Sequence, residues 1–312
     1  MSAASDAARI DGRARALVAR TRAADIAFAL CGMLVLLIAM GLLMTLVVDL
    51  LRDGLGRIDG QFLTSFPSRR PAAAGILSAW VGTVLVMLTT AALAIPLGVG
   101  AGVYLEEYAP KNLLGDIIEI NVGNLAGVPS IIYGLLALGL FVRGLRMGET
   151  ILVGGMVLAL LILPVVIVAT REAVRSVPGA LRESAFGIGC DRWQAVWRYV
   201  LPSARPGILT GAIVGLSRAI GETAPIITIG ALTFIAFLPP SPVQSSFPFV
   251  NADWLNSPFT VMPIQMFNWI SRPQEAFHVN AAATGVVLLA MTLAMNGLAI
   301  FLRYRLRRNL KT

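Results

Sequence analysis

The sequence predicts an all-α integral membrane protein with six transmembrane helices and both chain ends in the cytoplasm. Three observations carry that expectation. Of the 312 residues, 57% are hydrophobic and only 13% charged. Uncharged runs of crossing length recur along the chain, and the basic residues gather at its ends and in one central loop. A mean hydropathy of +0.78 is too apolar for an ordinary soluble domain. A helix needs about 20 residues to cross ~30 Å of hydrocarbon and satisfies its own backbone there. A barrel would need two-residue alternation, which these runs lack.

Arg9, Arg13, Arg15, Arg20 and Arg22 precede the first run, Ile26 to Val48. A removable signal has an apolar stretch of roughly 7–15 residues followed by a small-residue cleavage site. The segment is therefore expected to be a retained anchor, entered from the cytoplasm, and with its basic tail it forms a first unit over residues 1–50. Ile76 to Val103, Val122 to Val142, Ile151 to Thr170, Ile208 to Leu238 and Ala281 to Leu302 complete the six spans, within a core over residues 75–312.

An even number of crossings puts both ends on one side. The last residues, RYRLRRNLKT, carry Arg303, Arg305, Arg307, Arg308 and Lys311, and basic residues mark the cytoplasmic side. Arg171, Arg175, Arg182, Arg192, Arg198 and Arg205 give the same reading for the loop of residues 171–207, with a shorter cytoplasmic loop around Lys111. Arg52, Arg57, Arg69 and Arg70 in the first outer loop run against the rule, diluted by Asp49, Asp53 and Asp59. The outer segment 239–280 holds Pro239, Pro240, Pro242, Pro248 and Pro258, then Trp254 and Trp269. It reads as a turn-rich cap with room for a short interfacial helix.

The net charge of +8 belongs to this topological pattern, so lipid rather than nucleic acid is the expected surroundings. Cys31 and Cys190 fall at different membrane levels and are not expected to pair. His278 has no Cys, His or paired acid at ligand spacing, so it reads as a loop residue and no metal site is expected. No convergent nucleophile, base or metal ligands appear, so no catalytic residue and no enzyme activity are assigned. The phosphate-loop pattern G-x-x-x-x-G-K-[ST] is absent and the lysines are Lys111 and Lys311 alone, so energy must come from a separate chain.

The central loop reads SVPGALRESAFGIGCDRWQAVWRYVLPSARPG from Ser176 to Gly207. Ser176 can cap one short helix with Pro178 in its first turn, and Asp191 a second. Gly187 and Gly189 lie between them, where a tight reversal calls for glycine. In the second helix Trp193, Val196, Trp197 and Val200 make an apolar stripe, and Pro202 is expected to end it. The stripe can pack on the protein's own helices or fill a groove on a partner.

The fifth run contains LSRAIGETAPIITIG, in which Arg218 and Glu222 are four residues apart on one helix face. Ionised groups at that depth normally face a partner or a watery path. The pair can simply neutralise itself and fix packing. It can also serve a solute: a guanidinium donates paired hydrogen bonds to an oxyanion, phosphate among the best matched. A carboxylate beside it can accept the proton-bearing oxygen of hydrogen phosphate, whereas sulfate offers no donor. Pro96, Pro129, Pro164 and Pro225 bend or end spans and free carbonyls, and no one of them is assigned as a gate.

Two sets of residues carry a family resemblance. Glu183, Ala185, Gly189, Leu201 and Pro202 stand at the spacing of the EAA motif (E-A-A-x3-G-x9-I-x-L-P), with Ser184 and Tyr199 as departures, and so resemble the ATPase-docking loop of type I ABC importer permeases. RAIGETAP, GVPSIIYGLL (Gly127 to Leu136) and IPLGVGAGVYLEEYAP (Ile95 to Pro110) occur in the order found in the PstA-type permeases of bacterial phosphate-specific ABC importers, and the similarity runs from about Gly75 to the end. The resemblance implies the type I importer fold, residence in the cytoplasmic membrane and a heterodimer with a sister permease (PstC). It also implies two copies of an ATPase (PstB) that carry ATP and magnesium, and an external phosphate-binding protein (PstS). This chain would bind no cofactor. Arg218, Glu222 and Thr223 are then expected to line the solute path. Permeases for phosphonate, sulfate or molybdate share the docking loop, and an ion-coupled transporter or channel, with Glu222 carrying protons, is the reading from a different class.

Overall fold

A computed structural model describes residues 3–110, 112–242 and 251–308. Lys111, Pro248 and Lys311, and the side chains of Arg9, Arg13, Arg15, Arg20, Arg307 and Arg308, lie outside the described residues. The chain divides into two compact units, Met1–Asp53 and Gly54–Thr312. Helix α1 (Ala3–Gly54) accounts for the first, and its apolar part is long enough to cross a membrane.

The described residues of the second unit hold helices, the irregular segments and turns that join them, and one isolated bridge between Thr150 and Pro258. Its helices are α2 (Gly60–Thr64), α3 (Leu77–Val103), α4 (Leu113–Leu125), α5 (Ser130–Ala137), α6 (Ile151–Arg175), α7 (Gly179–Gly187), α8 (Arg192–Ala195), α9 (Leu201–Gly221), α10 (Ala224–Thr228), α11 (Met262–Ile270) and α12 (Glu275–Arg308). Wide π turns prolong α3 over Tyr104–Tyr108 and α5 over Leu138–Gly144, and a third, Val196–Val200, joins α8 to α9.

Helix α6 packs between α3 and α9. Membrane helices gain little from hydrophobic exclusion and close instead through small residues and van der Waals contact. A Cβ added at Gly98 or Gly102 of α3 would meet Val166 at 2.7 Å and Thr170 at 2.6 Å, and Gly207 and Gly211 of α9 lie as tightly against Ala173 and Ala169. The central core includes Val157, Leu161, Ile162, Ile226, Phe259 and Ile264. Val174, Val177, Val200, Ala204 and Ile208 form a second cluster at the end carrying the 171–207 loop, and Phe62, Ile76, Met262, Trp269 and Phe277 a third. Leu88, Leu97, Leu293, Leu298 and Phe301 stay exposed, as expected of faces turned to lipid.

Several sequence expectations change. Among the described residues, four helices are long and apolar enough to cross, or five if a bent pair counts as one span. The expected third span breaks between α4 and α5 by 103°. Pro129 has no N–H for the Leu125 carbonyl, and a residue before proline avoids helical torsions. That carbonyl instead accepts from Val128 N at 3.1 Å and from the Tyr133 hydroxyl at 2.8 Å. The expected fifth span stops at Gly221, because Pro225 cannot donate to the Gly221 carbonyl and Glu222 turns extended (φ −77°, ψ 119°).

Pro202 does not end the second loop helix. The wide turn before it relaxes the hydrogen-bond register, so the helix runs on from Arg192 to Gly221. Ser176 closes α6, its hydroxyl donating to Ala173 O at 2.8 Å, and α7 starts at Pro178 without a side-chain cap. Asp191 does cap α8, in a capping box with Gln194. His278 lies in the first turn of α12 rather than in a loop, with Nε2 2.8 Å from Arg272 O. Arg57, one of the charges against the positive-inside pattern, bonds Asn280 and the carbonyls of Ala72 and Ala74, a structural use that explains its place. Helix α11 fills the place left for a short helix in the 239–280 segment.

Candidate functional site

Arg218 stands in the last turn of α9, and its Nε lies 3.4 Å from Glu222 Oε1. The two side chains are 40% and 21% exposed in the lone chain. Although Glu222 has left the helix, the pair persists because the extended residue keeps its side chain beside the last turn. No described residue engages the two Nη groups of Arg218, so a fork of N–H donors remains beside a carboxylate. Thr223 follows at the start of α10 and accepts from Ile227 N through its carbonyl at 2.9 Å; its side chain makes no cap.

This break meets the other one. A Cβ on Gly134 of α5 would lie 2.7 Å from Pro225 Cα and collide with the Thr228 hydroxyl, so α5 and α10 touch through backbone. Arg218 is also within electrostatic reach of Tyr133, whose hydroxyl closes the end of α4. Two interrupted helices thus bring freed backbone, a guanidinium and a carboxylate together. Such an arrangement can hold an anion without covalent chemistry.

At the loop end, α7 and α8 form a helical hairpin with Gly189 at its turn, where φ is +87°. Of the two glycines expected there, only Gly189 needs the left-handed region. Glu183 is exposed, whereas Ala185 is 2% exposed and packs inward. The tryptophan stripe divides: Val196 and Val200 are buried, while Trp193 and Trp197 stack on each other at 5.6 Å and remain 61% and 58% exposed. Leu201 and Pro202 sit half-buried where the hairpin enters α9.

One charged cluster escaped the sequence reading. Glu106 and Glu107, on the wide turn after α3, meet the arginines at the end of α6 and on α7. Arg175 bonds Glu106 twice at 3.0 Å, Arg171 pairs with Glu119 at 2.8 Å, and Arg182 with Glu107 at 2.7 Å. Glu106, Glu119, Arg171 and Arg175 line an open cleft of 410 Å³. Two adjacent glutamates closing an apolar run were the available signal.

The family described as binding-protein-dependent transport system inner membrane component matches residues 73–312. The probable ABC transporter permease protein YqgI of Bacillus subtilis (strain 168) is 33% identical over 278 residues, 88% of this chain and 87% of that one. The phosphate transport system permease protein PstA of Yersinia pestis is 31% identical over 247 residues, 78% of each chain. Among solved structures, a chain of the inward-facing MetNI methionine ABC transporter covers 72% of this chain and 93% of its own length with a TM-score of 0.55, at 15% identity, a likeness of fold alone.

Proposed function

We propose, from the premise that this chain belongs to the family of binding-protein-dependent transport system inner membrane components, that it forms half of the pathway by which inorganic phosphate enters the cell. Membership makes it a multi-pass permease subunit of an ABC importer. The solute is the further step, and one observation carries it: Arg218 holds open N–H donors beside the Glu222 carboxylate where two broken helices meet. Hydrogen phosphate has an acceptor set for the guanidinium and a donor for the carboxylate. The similarity to PstA of Yersinia pestis supports the same solute.

In this reading six segments cross the membrane: α1, α3, the bent α4–α5 pair, α6, α9 with α10, and α12. Both ends lie in the cytoplasm, on the side of α7 and α8. The hairpin, with Glu183, Ala185, Gly189, Leu201 and Pro202, docks a separate ATPase in two copies; Phe186 and Ile188, 50% and 71% exposed, give its tip an apolar surface. ATP and magnesium stay on that partner. A sister permease covers the Arg218 face and an external phosphate-binding protein delivers the solute. ATP binding and hydrolysis shift the population between arrangements open to one side or the other.

Uptake of labelled phosphate by cells that depend on this chain tests the reading, with unlabelled phosphate, sulfate and molybdate as competitors. Unlabelled phosphate should compete and the other two should not. Competition by sulfate or molybdate, or none by phosphate, overturns the assignment of the solute.

A further inference from the structure

Residues outside both the solute path and the docking motif decide how the α7 hairpin is fastened to the membrane helices. Glu107 is 9% exposed on the wide turn after α3, a turn closed by Ala109 N donating to Tyr104 O at 2.8 Å. Arg182 precedes Glu183 on α7, and its guanidinium is shared among three elements. It donates to Glu107 Oε1 from Nε at 3.0 Å and from Nη2 at 2.7 Å. It also donates to Val177 O from Nη1 at 2.8 Å and to Val174 O from Nη2 at 2.9 Å, where α6 ends; the second carbonyl also accepts from Val177 N at 3.2 Å. The neighbouring Glu106 is engaged by Arg175 and Arg171 of α6 instead. Adjacent glutamates thus hold different partners: Glu106 grips α6, and Glu107 grips α7.

We propose that Glu107 and Arg182 are positioning residues that convert movement of the α7 hairpin into movement of α3. Leu181 and Val177 already pack α7 against the cluster at the end of α6, so apolar burial alone keeps the hairpin on the protein. A buried ion pair adds little net stability over apolar replacements. What it supplies is direction. The planar guanidinium fixes α7 to the end of α3 at one distance and angle, where apolar side chains could slide. Helix α3 packs along α6 through Gly98 and Gly102, so a displacement at Glu107 is carried into the helical core.

The inference rests on the importer reading above. It is tested on the full complex, with ATPase and external binding protein, in sealed vesicles where ATP hydrolysis and labelled phosphate uptake are measured on one preparation. Glu107→Gln and Arg182→Lys should still assemble with the ATPase and hydrolyse ATP at the wild-type rate. Uptake per ATP should fall on the order of tenfold, the scale set by losing one charge-assisted bond. The double variant Glu107→Gln, Arg182→Gln should be no worse than Glu107→Gln or Arg182→Gln alone, because one joint is lost once. Parallel loss of hydrolysis and uptake, an unchanged ratio, or losses that multiply in the double variant overturn the inference. If Glu107→Gln fails to assemble, Arg182→Lys is read by the same ratio, since it keeps the charge and removes only the fork. Absence of phosphate uptake by the wild type overturns the assignment of phosphate as the solute, whereas wild-type uptake with an unchanged ratio in the variants overturns this inference alone.

Discussion

Arg218 is the residue whose placement is hardest to explain without a solute. In the importer reading Arg218 lies within the membrane, where a charge costs at least ~2.5–3.5 kcal/mol on insertion scales, and a partly exposed pairing with Glu222 at 3.4 Å recovers only part of that. Replacing Arg218 by Gln removes the charge and keeps a polar side chain of similar reach. Uptake should fall by roughly 100-fold or more, the loss expected when a desolvated anion loses its cation. Co-purification of the ATPase should be unchanged, because the α7–α8 hairpin, proposed to dock it, lies at the other end of α9. Normal uptake by this variant would remove Arg218 from the path. The pair was legible in the sequence because two charges interrupt an otherwise apolar run. Tyr133 was not, because its hydroxyl matters only once Pro129 has broken the helix and left the Leu125 carbonyl open.

At the scale of elements, the sequence showed which segments were apolar but not which stayed straight. Runs Val122 to Val142 and Ile208 to Leu238 have crossing length, and each contains a proline that deletes one helical hydrogen bond. Pro96 and Pro164 sit inside unbroken α3 and α6, so proline alone does not announce a break. The difference at Pro225 is its company: Gly221 four residues earlier leaves the chain free to turn, and α5 offers Gly134 as a seat for α10. The α7–α8 hairpin was more legible, since Asp191 and Gly189 act locally through a cap and a left-handed turn. Gly134→Val follows as a test of the seat. Its first added carbon would lie 2.7 Å from Pro225 Cα, a backbone contact that a rotamer change cannot relieve. Separation of the two breaks should lower uptake at least about tenfold, while overpacking costs on the order of 1–3 kcal/mol of stability. The measurement is uptake normalised to assembled complex, and wild-type uptake at that ratio would show that α5 and α10 need not touch.

For the whole molecule, the question is what one chain can do alone. Its charges near the Arg218 break are partly exposed, and a charged face in the membrane requires something polar or proteinaceous opposite it. A second permease meets that need by enclosing the path between two chains. Membership of the permease family implies a separate ATPase as the motor. Gentle solubilisation of native membranes and isolation of this chain should therefore recover a sister permease and an ATPase, identified by mass spectrometry. The purified lone chain in vesicles should move phosphate no faster than empty vesicles, with or without ATP. Adding the companions should restore ATP-dependent uptake, and only when the binding protein is on the outer side. Concentrative transport by the lone chain under a proton gradient, without ATP, would instead make Glu222 a proton carrier and replace the importer by an ion-coupled transporter. The two machines differ in where the free energy enters: through α7 from outside the membrane, or through a carboxylate within it.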